Sequence, residues 1–262
     1  MSPQNAAPMD TNSIFPLKIA TWNVNGLRAR SQQIMDFMAL EKPDVLCLQE
    51  LKASPDQVPA ELLALEGYSC RWHGGKGYSG VSLHVSNRLG EPIFTHPDFD
   101  YENRIVGAEL EQFVLYSVYV PNGGKSFEDK MRFLDNLDHH LSALAAQNRQ
   151  VLLCGDINIA RTARDVHPKE NKPKVIGQSP EERELLERLL AHGYVDLQRS
   201  LHPDDDTLFT WWAPWRNMRE RNIGWRIDYI LASTQLAGRA TSCVSQREVG
   251  TSDHAPVVAT LS

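Results

Sequence analysis

Cysteine is scarce in this chain. There are four among 262 residues and no CxxC pair, so neither a zinc-ribbon site nor a disulfide framework is supported. Cys47 and Cys154 instead sit inside apolar runs, as free thiols of a reducing compartment do. Excess positive charge is missing too. The 27 Lys and Arg against 33 Asp and Glu leave a net charge of −6, which excludes a grip on polyanions through overall charge. No run approaches the ~20 apolar residues of a membrane span. The opening MSPQNAAPMDTNS has neither the basic nor the apolar segment of a secretory leader. Internal repeats and low-complexity tracts are not evident. These lacks predict a soluble cytoplasmic protein with no membrane contact, residues 1–15 forming a flexible tail and 16–262 one domain.

The composition that remains is ordinary for a globular protein, 42% hydrophobic and 23% charged. Basic residues are nevertheless clustered. Arg161, Arg164, Lys169, Lys172 and Lys174 fall within 161–174, and Arg216, Arg219, Arg221 and Arg226 within 216–226. Such runs are either solvated loops or local patches that offset the global charge.

From Leu17 onward, short apolar runs alternate with amphipathic stretches. Strands are expected at 17–23, 44–50, 150–156, 207–212, 225–232, near 240–247 and at 257–262. The four runs 68–73, 80–86, 104–111 and 113–120 follow one another without a helix and read as an antiparallel meander. Helices are expected at 30–41, 56–67, 126–147 and 179–193, the last opened by a capping box from Ser179 to Glu182 and closed by Gly193. The order describes two similar halves. Two mixed sheets packed face to face with helices outside fit it better than one doubly wound sheet.

The chemistry-bearing residues fall at strand ends: Glu50 in LQE, Asp156 and Asn158 in GDIN, Asp228 in WRIDY, and Asp253 with His254 in TSDHAP. An acid just past a buried strand stands at the strand's mouth, where a cation or phosphate reaches it. Four such ends carrying acids, amides and an imidazole point to one metal-dependent hydrolytic site. Each motif alone is weak, because GDxN also makes turns and Asp-His also caps elements.

Together, WNVNGLRA (22–29), LQELK (48–52), KGYSGV (76–81), YVPNG (119–123), GDIN (155–158), PEER (180–183), FTWW (209–212), GWRIDY (224–229) and SDHAP (252–256) have the order and spacing of one family. Over about residues 17–262 the chain resembles the exonuclease III family of apurinic/apyrimidinic (AP) endonucleases. The resemblance implies a four-layered α/β sandwich like that of deoxyribonuclease I, hydrolysing DNA phosphodiesters with Mg²⁺, or Mn²⁺, in base excision repair. It implies Glu50 as the main metal carboxylate, with Asn23 and Asp253 completing or orienting that oxygen-rich shell. Asp156 resembles the group that aligns and deprotonates water, and Asn158 its hydrogen-bonding neighbour. His254, partnered by Asp228, and Tyr119 resemble donors to the phosphate, with Asn122 supporting the same loop. A second ion at Asp156, Asn158 and His254 stays open. Trp211, Trp225 and Ile227 match positions lining a pocket for a base-free sugar, and Trp215 is placed as a wedge against the duplex.

One segment departs from the family. The run Asp165-Val166-His167-Pro168 is about one residue shorter than in many relatives, and His167 stands where a small neighbour to the DNA is expected. A pinned imidazole there would obstruct a strand continuing past an internal abasic site. The expected substrate is therefore double-stranded DNA with abasic sites, nicks or blocked 3′ ends. 3′-Phosphatase, 3′-phosphodiesterase and 3′–5′ exonuclease work would be favoured over AP incision, by a monomer. Two alternatives remain: a phosphoesterase acting on lipid or RNA, and a non-catalytic nucleic-acid-binding protein on the same fold. GWRIDY and PEER favour DNA, and the complete set of acids and amides favours catalysis.

Overall fold

Alternating side chains bury β1 (Leu17–Asn23) on both faces. Leu17 and Ile19 point into one apolar cluster, Ala20 and Trp22 into another. β2 (Val45–Gln49) divides the same way, and α1 (Leu27–Glu41) between them lays Ile34, Phe37 and Met38 over the outer face. The helix ends where Lys42 turns left-handed at φ 46°.

Next come α2 (Ala60–Leu63), β3 (Tyr68–His73), β4 (Val81–Ser86), β5 (Ile93–Thr95), β6 (Ile105–Glu109), β7 (Val114–Tyr119) and α3 (Phe127–Ala146). They are followed by β8 (Val151–Asp156), α4 (Pro180–Ala191), β9 (Tyr194–Asp196), α5 (Leu197–Leu201), β10 (Asp228–Ser233), α6 (Thr234–Ala237), β11 (Ala240–Ser245) and β12 (Val257–Leu261). The computed structural model describes residues 14–75 and 77–262.

The strands form two six-stranded sheets, ordered β11-β12-β1-β2-β4-β3 and β5-β6-β7-β8-β10-β9. Each contains one parallel pair, β1 with β2 and β7 with β8, and is otherwise antiparallel. A helix bridges each parallel pair, α1 in the first sheet and α3 in the second, as a parallel crossover requires. The inner faces meet in a cluster holding Leu17, Val45, Cys47, Leu152, Cys154 and Ile230, while α3 and α4 cover the second sheet over Leu137, Leu153, Leu186 and Leu231. Helix, sheet, sheet, helix is the expected four-layered sandwich.

Several sequence expectations need correction. The stretch 68–120 is not one meander: β3 and β4 belong to the first sheet, and β6 and β7, with the unforeseen β5, to the second. Pro55 and Pro59 break 56–67 into a 3₁₀ turn and the single-turn α2. Residues 207–212 form no strand; Trp211 makes only isolated bridges to Trp225 and His254. Residues 225–227 precede β10 instead of opening it. The expected tail falls largely outside the described residues, as does Lys76, but Ile14 is buried and its carbonyl accepts from Arg88 Nη1 at 2.9 Å. Phe15 also packs on the core, so residues 14 and 15 do not belong to the tail expected over 1–15. No helix of the described residues is long and apolar enough to cross a membrane.

Candidate active site

The carboxyl ends of both parallel pairs open at the same end of the sandwich, where α/β sheets present ligands. β1 delivers Asn23, β2 leads into Glu50, β7 ends on Tyr119 and β8 on Asp156. Two antiparallel partners start there. Asp228 of β10 pairs with Asp156, and the chain before β12 carries His254 alongside β1. Beneath this mouth, Gln49 accepts from Thr21 Oγ1 and donates to Ser117 Oγ, each at 3.2 Å, tying the two sheets with a buried polar link.

Asn23 Nδ2 crosses between the sheets, donating to Asp156 Oδ2 at 2.9 Å and to Glu50 Oε1 at 3.2 Å. Tyr119 donates its phenol to Glu50 Oε1 at 2.8 Å, and Lys52 Nζ lies 2.9 Å from Glu50 Oε2. Asp156 Oδ1 accepts from the backbone N–H of Asn158 at 2.8 Å. His254 Nδ1 faces Asp228 Oδ2 at 2.9 Å, and its Nε2 lies 3.9 Å from Asp156 Oδ2. Ligand atoms of Glu50, Asp156 and His254 all lie within 4.8 Å of one another. Glu50 and Asn158 hold left-handed backbones, φ 51° and 55°, a strain non-glycine residues adopt where the site demands it.

Burial, and then the charge of Asp228, push the Asp156 carboxyl up to about 8. Burial opposes charge on His254 but is outweighed by Asp228 and then Asp156 and Asp253, raising the imidazole to about 10. Burial would raise Glu50 too, yet His254 and Lys52 hold it below the usual carboxylate range. Tyr119 is pushed up by burial and by Glu50, so it keeps its proton. The result is a carboxyl poised near neutrality beside a fixed imidazolium, the separation of roles that acid–base chemistry at one site needs. Several oxygen donors converging with excess negative charge fit a divalent cation, and the Lys52 ammonium already stands as a cation against Glu50.

Other residues from the sequence reading are placed less centrally. Asp253 spends its two oxygens on Asn25 Nδ2 at 2.7 Å and Trp211 Nε1 at 3.0 Å, and stands outside the Glu50 cluster. Asn122 is exposed, with Oδ1 accepting from Gly124 N–H at 3.0 Å. Asn158 turns its side-chain amide to the Val120 carbonyl at 2.9 Å. Trp211 and Trp225, both half-buried, cross edge to face at 5.5 Å and cluster with Ile227, Val166 and Ala160. The buried indole N–H of Trp225 has no partner among the described residues. His167 lies beside Val166 on the rim of that cluster. Its ring faces Phe209 at 6.1 Å, its Nδ1 accepts from Lys169 N–H at 3.2 Å and its own N–H donates to Gly224 O at 2.9 Å. Trp215 is 59% exposed, whereas Trp212 is buried.

The basic runs are less available than their sequence suggests. Arg226 is buried between Asp165 and Asp196, and Arg219 donates to the carbonyls of Arg247, Val249 and Ser252. Three supporting residues escaped the sequence reading. Lys52 meets Glu50 across a turn in which both residues are left-handed, each at φ 51°. Arg104 stacks over the Tyr119 ring at 4.9 Å. Lys130 is buried against Glu182 and donates to the Asn158 carbonyl at 2.7 Å, bracing the loop after Asp156. A lysine on the apolar face of α3 was the available signal for the last.

The family described as Endonuclease/Exonuclease/phosphatase matches residues 20–254. Recombination repair protein 1 of Drosophila melanogaster is 35% identical over 97% of this chain, which spans 38% of that longer protein. The exodeoxyribonuclease of Bacillus subtilis is 35% identical over 92% of this chain and 98% of its own length. Among solved structures, an AP endonuclease from Archaeoglobus fulgidus superposes with TM-score 0.84 at 30% identity, covering 94% of this chain and 99% of that one. The 3′ phosphatase NExo from Neisseria, bound to product DNA hairpin, gives 0.85 at 32% with the same coverage.

Proposed function

Because the chain belongs to the endonuclease/exonuclease/phosphatase family, we propose a reaction scheme in which its strand-mouth residues hydrolyse DNA phosphodiesters. The chain is a DNA repair nuclease of the exonuclease III and AP endonuclease type. That family depends on a divalent cation. Here the oxygen donors favour Mg²⁺, with Mn²⁺ as a substitute, held by Glu50 with Asn23, while Asp253 orients the neighbouring wall. When bound, the ion supplies Lewis-acid stabilisation of the phosphate.

Asp156, with both oxygens already aligned by Asn23 and Asn158 N–H, accepts the proton of the attacking water. A base near its operating pH is the efficient choice. His254 donates from Nε2 to a non-bridging phosphate oxygen, and Asp228, facing Nδ1, orients the ring and favours the imidazolium. Tyr119 adds a neutral donor, and Asn158 supports the base. Growing charge on the non-bridging oxygens is thus met by preorganised donors instead of reorganising water, as the bond from phosphorus to the leaving oxygen breaks and that oxygen takes a proton from solvent. The observation that carries this reading is the meeting of Glu50, Asp156 and His254 within 4.8 Å from three distant segments.

The test is turnover on a nicked duplex bearing an internal tetrahydrofuran or a 3′ phosphate, with and without EDTA. Metal-dependent cleavage lost in Asp156→Asn is expected. DNA binding without cleavage would favour the non-catalytic alternative, and turnover of lipid or RNA instead would favour the other phosphoesterases.

Substrate preference rests on His167. Three contacts hold its backbone and ring at the rim of the Trp211–Trp225–Ile227 cluster, so it resists displacement by a continuing strand. The reading is 3′-end processing favoured over incision at internal abasic sites. His167→Gly is expected to raise tetrahydrofuran incision and leave 3′-phosphate release unchanged; equal, efficient incision by both proteins removes the steric argument. The same reading takes the chain as a cytoplasmic monomer, checked by its mass in solution.

A further inference from the structure

A second cluster of metal-ligand side chains lies between the outer edges of the two sheets. His73 ends β3, the edge strand of the first sheet, while His96 and Asp100 follow β5, the edge strand of the second. One ligand atom from each of the three lies within 4.8 Å of the others. His73 Nε2 is 2.6 Å from Asp100 Oδ2, and the two imidazoles lie 4.1 Å apart with their planes at 33°. Asp100 Oδ1 accepts from the backbone N–H groups of Arg104 at 2.8 Å and Ile105 at 3.2 Å, which aims Oδ2 at His73. Outer contacts that fix ligand orientation in this way are half of a metal site.

We infer that His73, His96 and Asp100 form a binding site for a transition ion of the Zn²⁺ class, separate from the divalent-cation site at Glu50. Two imidazoles and one carboxylate suit Zn²⁺, Co²⁺ or Ni²⁺, whereas Mg²⁺ prefers an all-oxygen shell. Three protein ligands leave a fourth position for water, and the exposed His96 gives entry from solvent.

Tetrahedral ligands at about 2.0–2.1 Å from zinc stand about 3.3 Å apart. The His73–Asp100 contact therefore lengthens as the ion replaces the proton between them, and His73 keeps its remaining proton on Nδ1. Occupancy would staple one sheet edge to the other. It would also stiffen the turn whose Arg104 stacks on Tyr119.

The test uses metal-stripped protein titrated with Zn²⁺ against a chromophoric chelator, with Co²⁺ d–d absorption as a second readout. Zinc could also enter the Glu50 site, so Glu50→Gln is compared with Glu50→Gln combined with His96→Ala. Glu50→Gln protein is expected to bind one Zn²⁺ and to melt at a higher temperature with it. Adding His96→Ala should weaken binding by at least about tenfold and abolish the shift. His96→Ala alone should cleave DNA in Mg²⁺ like the wild type. His96 is exposed, so its truncation is not expected to disturb folding. His96→Gln in the otherwise native chain gives the same comparison as a loss of one bound ion. Equal Zn²⁺ affinity with and without His96, or no binding, overturns the inference.

Discussion

Two clusters of buried charge begin two residues apart, at Arg226 and Asp228, and they are built to opposite ends. Around Arg226 the charges are balanced. Its guanidinium lies 2.7 Å from both Asp165 and Asp196, Arg199 adds a second cation to Asp165, and Thr162 donates to the remaining Asp165 oxygen. Asp165 is accordingly held at about 2, its burial outweighed by Arg226 and Arg199. Around Asp228 the charges are left unbalanced. Glu50, Asp156, Asp228 and Asp253 are four carboxylates facing His254 and Lys52, so full ionisation leaves two negative charges uncompensated. A saturated cluster holds structure together. An unsaturated one is strained until a divalent cation or a phosphate-linked counter-ion settles on it.

The sharpest way to break this contrast is through the unbalanced cluster. Asp156→Asn is expected to lower turnover on nicked DNA by roughly 10³-fold, while thermal stability stays level or rises because one surplus acid is gone. A large fall in melting temperature would put Asp156 among the structural charges. Next in size is Arg226→Met, which leaves Asp165 and Asp196 buried with too few partners and should cost about 3 kcal/mol or more in urea unfolding. A neutral outcome would mean the cluster is not balanced by Arg226.

The pH response should then separate the two clusters. Asp165 has a folded pKa of about 2 against about 4 unfolded. A depressed carboxylate contributes above its unfolded pKa, and that contribution, about 2 kcal/mol, is lost as pH falls from about 4 through 2. At the site the signs reverse. Asp156 raised to about 8 and His254 raised to about 10 bind protons more tightly when folded, so stability of the cation-free protein drops as pH rises from about 4 to about 10. Added Mg²⁺ should flatten that alkaline limb and leave the acid limb alone, measured by melting curves across pH. The smallest expected effect is Lys52→Met, which removes the ammonium from Glu50 Oε2 and should tighten Mg²⁺ binding about two- to fivefold; an unchanged titration would show that Lys52 does not compete there.

Much of the fold was readable because its signals were local. α3 announces itself by helical period, and α4 by helical period and the capping box opened by Ser179. The strand mouths were readable because Asp156 closes the apolar run of β8, Glu50 follows β2 and Asp228 opens the apolar run of β10. β5 and β9, three residues each, carry no usable alternation. Residues 207–212 look like a strand because Phe209, Trp211 and Trp212 are apolar, yet they pack into two small apolar clusters instead of a ladder. The ion pairs of Arg226 and Lys130, and the stacking of Arg104, depend on which surfaces meet after the sheets dock, and no window of sequence contains that.

Asn23 and Glu50 belong to one sheet, Asp156 and Asp228 to the other, and His254 arrives only with the segment that lets β12 pair with β1. In the proposed scheme a nascent or half-unfolded chain therefore carries no cutting centre, and cleavage waits on completion of the whole molecule.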